Sequence, residues 1–430
     1  MIAYGDLVGR ALSWAQREPW FTAAASVVLV RDLLGRVRLV VEGTIDFEAE
    51  ARLAAELGGW AGGMLSTQAD GAAAERAIAR QILSQALTPP ERWPSSVPDG
   101  FGNEGPIDPK WRSYDRFSGK ESWLDAKPAA PPWNLHANTP GIVAFYSFKG
   151  GVGRTTALVI TAAALAARGK RVLCVDLDLE APGLASAIGL TPTTGALDLL
   201  LEHHAHGKLE ASAVTGAVHP AQIDGGPRFD VIPAAQVDET YIERVARLDY
   251  LGSPPSDQAS PVEQAVVAML RHVMSAYDVI LLDARAGIHD LGGLAMLSLS
   301  HASVVVFRPD HQTLAGLDLV LPAYAARRTE DDRRLVLAAS FVSERAELRA
   351  AQLRDWREQV YNRFVDVIYG DDAPALESEQ APHDLVALTE SRQLSENESL
   401  QGHAAPLTAI PGYDDLVKRV ELLLVPEGPP

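Results

Sequence analysis

The stretch FYSFKGGVGRTTAL, residues 145–158, concentrates the residue types and spacings in this chain that could do chemistry. Gly150, Gly151 and Gly153 permit a tight turn, and Thr155 and Thr156 follow where an apolar helical pattern begins. A glycine-rich turn between a buried strand and a helix aims backbone N–H groups at one point, and the positive end of the helix dipole adds to them. Phosphate oxygens suit that point. The candidate cradle is the run Gly150, Gly151, Val152, Gly153, Arg154, Thr155 and Thr156. In it the Thr155 hydroxyl is placed to ligate Mg2+ and the Thr156 hydroxyl to bond the α-phosphate. A glycine pattern alone would carry little weight. KGGVGRTT directly after a strand pattern and before a helix pattern is a specific signal.

Three carboxylates belong with it. YDVILLD ends an apolar run on Asp283, and RVLCVDLD ends on Asp176 and Asp178. A spacing of two puts both side chains on one face of a strand. Asp283, with Thr155, is assigned to the metal shell. Of Asp176 and Asp178, one can join that shell and the other can position or deprotonate a water for attack on the γ-phosphate. Capping of the next turn would account for one strand-end aspartate. Three beside one phosphate loop favour the chemical reading.

Positioning these groups requires strands that converge at one edge. GIVAFYSF (141–148), RVLCVDLD (171–178), FDVIPA (229–234), YDVILLDA (277–284), ASVVVFRP (302–309), RLVLAASFV (334–342) and DLVALTE (384–390) read as strands, with helical patterns between most of them. The helix TTALVITAAALAARG (155–169) follows the loop, and the last helix is expected near 412–424. Near-continuous apolar strands alternating with helices predict an α/β fold, a mostly parallel sheet covered on both faces. Upstream, ASVVLV (25–30) and RVRLVVEG (36–43) read as a hairpin flanked by helical patterns at 4–17, 46–58 and 71–87, a small α+β domain. Residues 88–110 read as a long loop and 127–140 as a Pro-rich linker, which sets the domains at 1–126 and 141–426. Of eight tryptophans, Trp14, Trp20, Trp60, Trp93, Trp111, Trp123 and Trp133 precede residue 141. They serve either a partner surface or core packing.

Composition bounds the rest. The 430 residues are 47% apolar, enough for a sizeable core. The net charge is −18 and no basic patch stands out, which disfavours direct DNA binding. The densest basic stretch, AARRTEDDRR (325–334), is interleaved with acids. The single Cys174 excludes a disulfide framework and fits a reducing cytosol. MIAYGDLVGRALSWAQREPW lacks the pattern of a secretory leader, and no apolar run is long enough to span a membrane. A cytoplasmic, bacterial protein is expected.

The loop, with VDLDLEAPGL and DARAG, resembles the deviant Walker A ATPases of the ParA/MinD family, over about residues 138–426. Within it these residues look like a bacterial subfamily of KGGVGR-motif variants, found in multi-protein regulatory and conflict systems. The resemblance implies ATP with Mg2+ as cofactors and an ATP-bound homodimer. It makes Lys149 the signature lysine that reaches the partner's phosphates, Asp178 the water-activating aspartate and Asp283 the Walker B aspartate. Arg154 replaces the loop lysine: it keeps the charge, but it is larger, planar and differently aimed. Phosphate binding should survive this change, and hydrolysis should be slower. ARAG follows Asp283 where the family often has Thr-Pro, so Arg285 either stabilises transition-state charge or anchors the loop, and Gly287 gives that loop freedom. Ser343 and Glu344 stand where a base-contacting Asn is expected, so adenine rests on the resemblance alone.

The reading that follows is an ATP-driven dimerisation switch with slow hydrolysis, which signals to a protein partner through its N-terminal domain. Its alternatives are a non-hydrolysing nucleotide-bound scaffold and a partition ATPase that acts on DNA through a partner. HHAHG (203–207) fits a solvated helix end better than a metal site, and YDDLVKRVELLL (413–424) a last core helix better than a membrane-docking one.

Overall fold

The structure is a computed structural model that describes residues 4–32, 34–68, 73–88, 93, 96–98, 104–115, 121–124, 131–135, 139–223, 225–248, 259–329, 333–391, 394, 399–401 and 407–425. It divides into two compact units, Met1–Ser118 and Gly119–Pro430. The division falls ahead of the boundary at 126 expected from composition.

The first unit is built on β1 (Ser26–Arg31) and β2 (Val37–Glu42), which pair antiparallel as the hairpin pattern predicts. Two further strands extend it: β3 (Ala61–Ser66) lies parallel to β2, and β6 (Trp111–Asp115) parallel to β1. The order is β3-β2-β1-β6. Helices Leu7–Gln16, Ala49–Leu57 and Ala73–Gln85 accompany the sheet. Within residues 88–110, expected to be loop throughout, β4 (Ser96–Pro98) and β5 (Glu104–Pro106) form a short antiparallel ribbon. Trp14, Trp20, Trp93 and Trp111 are buried here, and Trp60 is half-buried with its ring against Tyr4 at 5.7 Å. Core packing, not a partner surface, is what these rings do in this structure.

The second unit carries an eight-stranded sheet in the order β14-β13-β12-β7-β11-β8-β10-β9. These are β7 (Gly141–Tyr146), β8 (Val172–Asp176), β9 (His219–Ala221), β10 (Phe229–Ile232), β11 (Val279–Asp283), β12 (Ala302–Phe307), β13 (Leu335–Val342) and β14 (Val386–Thr389). All neighbours are parallel except the edge strand β9, which pairs antiparallel with β10. Every residue of β7 is buried. Ile142, Ala144 and Tyr146 enter one core layer, Val143 and Phe145 the other, as a sheet covered on both faces requires. Helices Ala196–His206, Pro261–Val273, His311–Arg327 and Ala346–Phe364 cover the first layer; helices Arg154–Ala167 and Tyr413–Leu423 cover the second.

The final helix buries Leu416, Val417 and Val420 in that second layer, and Arg168 bonds its Asp414 at 2.8 Å. Its apolar face is thus occupied by the core. The HHAHG stretch ends helix Ala196–His206, with Gly207 in the left-handed conformation that stops it. Among the described residues, no helix is long and apolar enough to cross a membrane.

The sheet order fixes the site. β11 lies between β7 and β8, and Asp283 is the register partner of both Phe145 and Asp176. The carboxyl ends of these parallel strands therefore bring the glycine loop and the acids to one crevice.

Candidate nucleotide site

β7 ends at Tyr146 and helix Arg154–Ala167 begins after Gly153. Gly151 and Gly153 have φ of +72° and +79°, so the turn needs residues without a Cβ penalty at both places. Gly153 is the N-cap and has no side chain to satisfy the first amides of the helix. The amides remain directed at the loop, which is the concavity an anion fills. A Cβ on Gly150 or Gly151 would meet no atom within 4 Å, so the loop faces open space. Gly153→Ala is expected to cost roughly 1–2 kcal/mol through backbone strain alone, measured by chemical denaturation beside the parent protein.

Arg154 does not point out of this loop. Its Nε donates to Asp283 Oδ1 at 2.6 Å and its Nη2 to Asp178 Oδ2 at 2.8 Å, and the residue is only 8% exposed. Burial opposes its charge, but Asp283 and Asp178 more than offset that and raise its pKa. Thr155 donates from Oγ1 to the other oxygen of Asp283 at 2.6 Å. Arg285 donates from Nη1 to Asp178 Oδ1 at 2.9 Å and pairs through Nη2 with Glu180 at 2.8 Å. Of its two expected roles, this structure places Arg285 in the loop-anchoring one. Gly287, at φ +76°, makes the turn that follows.

Asp176 is fully buried but turned elsewhere. Its two oxygens accept the amides of Asp178 at 3.0 Å and Leu184 at 3.1 Å. Burial first, then the charge of Asp283, raises its pKa. Its contacts shape the loop after β8, and it reaches neither Thr155 nor either arginine by a hydrogen bond. Asp283 is also raised by burial, against the pull of Arg154 and the Thr155 hydroxyl.

Thr155 and Asp283 form the donor set that fits Mg2+, a hydroxyl and a carboxylate 2.6 Å apart at the start of the loop helix. Of the three carboxylates, Asp178 and Asp283 are paired with Arg154 and Arg285, and Asp176 is not. The same Asp283 now holds Arg154, so metal and guanidinium compete for it.

Lys149 turns sideways, its Nζ 3.3 Å from Asp310 Oδ2. Asp310 caps helix His311–Arg327 by accepting the Thr313 amide at 2.9 Å. Phe148 packs its ring where a Cβ on Gly316 would stand. The structure thus brings Arg154, Thr155, Asp178 and Asp283 into one bonded cluster, and leaves Lys149 and Asp176 outside it.

Three neighbours were not singled out by the sequence reading: Asp310, Glu180 and Phe341. Phe341 stands at a shift in β13–β14 register with φ +53°, rare for a bulky residue, and Arg308 lies 5.6 Å from its ring centroid. Its ring edge is 4.0 Å from where a Cβ on Gly153 would be. Nothing in LAASFV signals that conformation.

The sheet order, the uncapped glycine loop and the strand-end acids define a P-loop nucleotide-binding fold. Comparison with known proteins narrows the class. A family model described as an AAA domain matches residues 141–334. The chromosome-partitioning ATPase Soj of Thermus thermophilus is 30% identical over 201 residues, 47% of this chain and 68% of that protein. A ParA family protein of Chlamydia muridarum is 28% identical over 178 residues, 41% of this chain and 62% of that protein. The cell division ATPase MinD of Pyrococcus furiosus aligns with a TM-score of 0.43 at 19% identity, over 66% of this chain and 99% of that one. This chain belongs to the ParA/MinD-like family of P-loop ATPases. The residues matched by the family model all lie in the second unit.

Proposed function

We propose that the chain is an ATP- and Mg2+-dependent dimerisation switch that hydrolyses ATP slowly and signals to a protein partner through its first unit, within a multi-protein regulatory or defence assembly. The observation that carries the reading is the bonded cluster of Arg154, Thr155, Asp178 and Asp283 at the foot of the glycine loop. The loop amides bind the phosphates, and Thr155 and Asp283 hold Mg2+. When bound, the metal neutralises charge on the β- and γ-phosphate oxygens.

Asp178 is the group that positions or accepts a proton from the attacking water, and it must first leave Arg154 and Arg285. Arg154 must also leave Asp283 before that carboxylate can serve a metal. Release of three ion pairs, the two of Arg154 buried, is the physical reason for slow turnover. Arg154, once freed, carries its charge towards the phosphates. ATP drives the dimer only by binding that state better than the resting one.

Lys149 is the lysine that crosses to the second copy. Its partner Asp310 is an exposed pairing worth roughly 0–1 kcal/mol, so ATP can displace it at small cost. Lys149→Ala is expected to leave the denaturation midpoint unchanged and to abolish ATP-dependent dimerisation in sedimentation velocity. A variant that still dimerises with ATP would remove Lys149 from this role.

A partition reading draws on the names of the relatives, while the net charge of −18 opposes direct DNA contact. Retention on duplex DNA that falls steeply with salt and needs ATP would favour it over the protein-partner reading.

A further inference from the structure

Two tryptophans from the stretch before β7 donate to the two ends of one helical segment. Trp123 Nε1 donates to His289 O at 2.8 Å, at the start of helix Asp290–Gly293. Trp133 Nε1 donates to Leu299 O at 3.0 Å, at the end of the helical turn Leu294–Leu299 that continues it. Both bonds span 166 residues of sequence. The backbone at Trp133 is fixed in turn: His301 accepts the Ile142 amide at Nδ1, so its Nε2 donates to Trp133 O, 3.1 Å away. Trp133 falls in the stretch read from sequence as a Pro-rich linker, and it is buried.

Trp123 meets the loop after Asp283 directly and, through Tyr146, indirectly. Beyond its bond to His289, its ring lies 5.4 Å from that of Tyr146, whose hydroxyl donates to Gly287 O at 3.1 Å. His289 faces Glu180 at 2.9 Å; Glu180 pairs with Arg285, and Arg285 with Asp178. A chain of direct contacts therefore runs from Trp123 to the proposed water-positioning carboxylate. The seat is specific, because a Cβ on Gly293 would lie 2.5 Å from Trp123 Nε1. Among the described residues after Ser118, where the first unit ends, Trp123 is the first that is buried.

We propose that Trp123 and Trp133 splint the loop and helix that follow Asp283, and that Trp123 is the positioning residue through which the nucleotide state at Asp178 reaches helix Glu121–Leu124. The inference rests on the nucleotide reading above. Loss of the Asp178–Arg285 pair frees Glu180 and His289 to move, and the His289 carbonyl moves the indole bonded to it. Ordinary packing would bury the same ring without making it respond to nucleotide.

Hydrogen–deuterium exchange on the full chain, with and without ATPγS and Mg2+, separates these possibilities. In the parent protein ATPγS is expected to protect residues 149–156 and to change exchange at both 284–293 and 121–124. Without nucleotide, Trp123→Ala is expected to speed exchange at 284–293 about tenfold while β7 and β11 keep their protection. Gly293→Ala, which pushes the indole out, should do the same. Trp123→Phe keeps a ring and loses the donor; it should lower kcat about 3–10-fold at unchanged KM, the mark of a lost transition-state arrangement. Unchanged exchange at 284–293 in both alanine variants overturns the splint. Protection of 149–156 with a silent 121–124 overturns the coupling and leaves the nucleotide reading standing. No protection at 149–156 removes the nucleotide reading, and the coupling with it.

Discussion

Replacing Arg154 with alanine is expected to lower stability by about 3–5 kcal/mol, because it strands two buried carboxylates that share one guanidinium. Asp283 is fully buried and Asp178 nearly so, and Arg154 bonds both at 2.6 and 2.8 Å. Arg285 covers only one oxygen of Asp178, so it cannot compensate at Asp283. Arg154→Lys should be milder, roughly 1–2 kcal/mol, since one ammonium reaches one carboxylate where a planar fork reaches two. Urea denaturation of the three proteins checks the order. An alanine variant as stable as its parent would mean that the bridges do not hold the resting site together. The lysine variant also tests the brake. With a weaker clamp on Asp283 and Asp178, it should turn ATP over faster than the parent despite its lower stability.

The second large effect falls on Asp178. Asp178→Asn is expected to lower kcat by about 10²–10⁴-fold, the usual contribution of a positioned general base. ATP affinity should remain within a few fold, because the loop amides and the Thr155–Asp283 pair are untouched. Single-turnover hydrolysis beside equilibrium binding of a fluorescent ATP analogue separates the two quantities. Equal loss of binding and turnover would instead make Asp178 a structural anchor for Arg154 and Arg285.

What could be read in the sequence was what is local. KGGVGRTT sits between an apolar strand and an apolar helix, and its turn depends on glycines within a few residues of one another. The parallel sheet was legible because β7, β8, β11 and β12 are buried on both faces and apolar but for Ser303 and the strand-end Asp176 and Asp283. In β3, AGGMLS has two glycines and no β-branched residue, so its strand character comes from pairing with β2 alone. The inward turn of Arg154 was not legible either. Position in the motif says that a cation is there, but its direction is set by Asp283 and Asp178 on other strands. Asp176 shows the same limit: alternation placed it beside Asp178, whereas two backbone amides beyond the strand end claim its oxygens. Lys149 with Asp310 and Trp123 with His289 join residues far apart in the chain, and no spacing rule reaches them.

The switch itself is tested most directly by Mg2+-dependent ATP hydrolysis of the purified chain at several protein concentrations. Specific activity that rises with concentration and vanishes without Mg2+ is the predicted result, since two copies must meet before Lys149 can complete the site. Activity independent of concentration, or ATP that binds and is never hydrolysed, would contradict it and leave a nucleotide-bound scaffold as the better account.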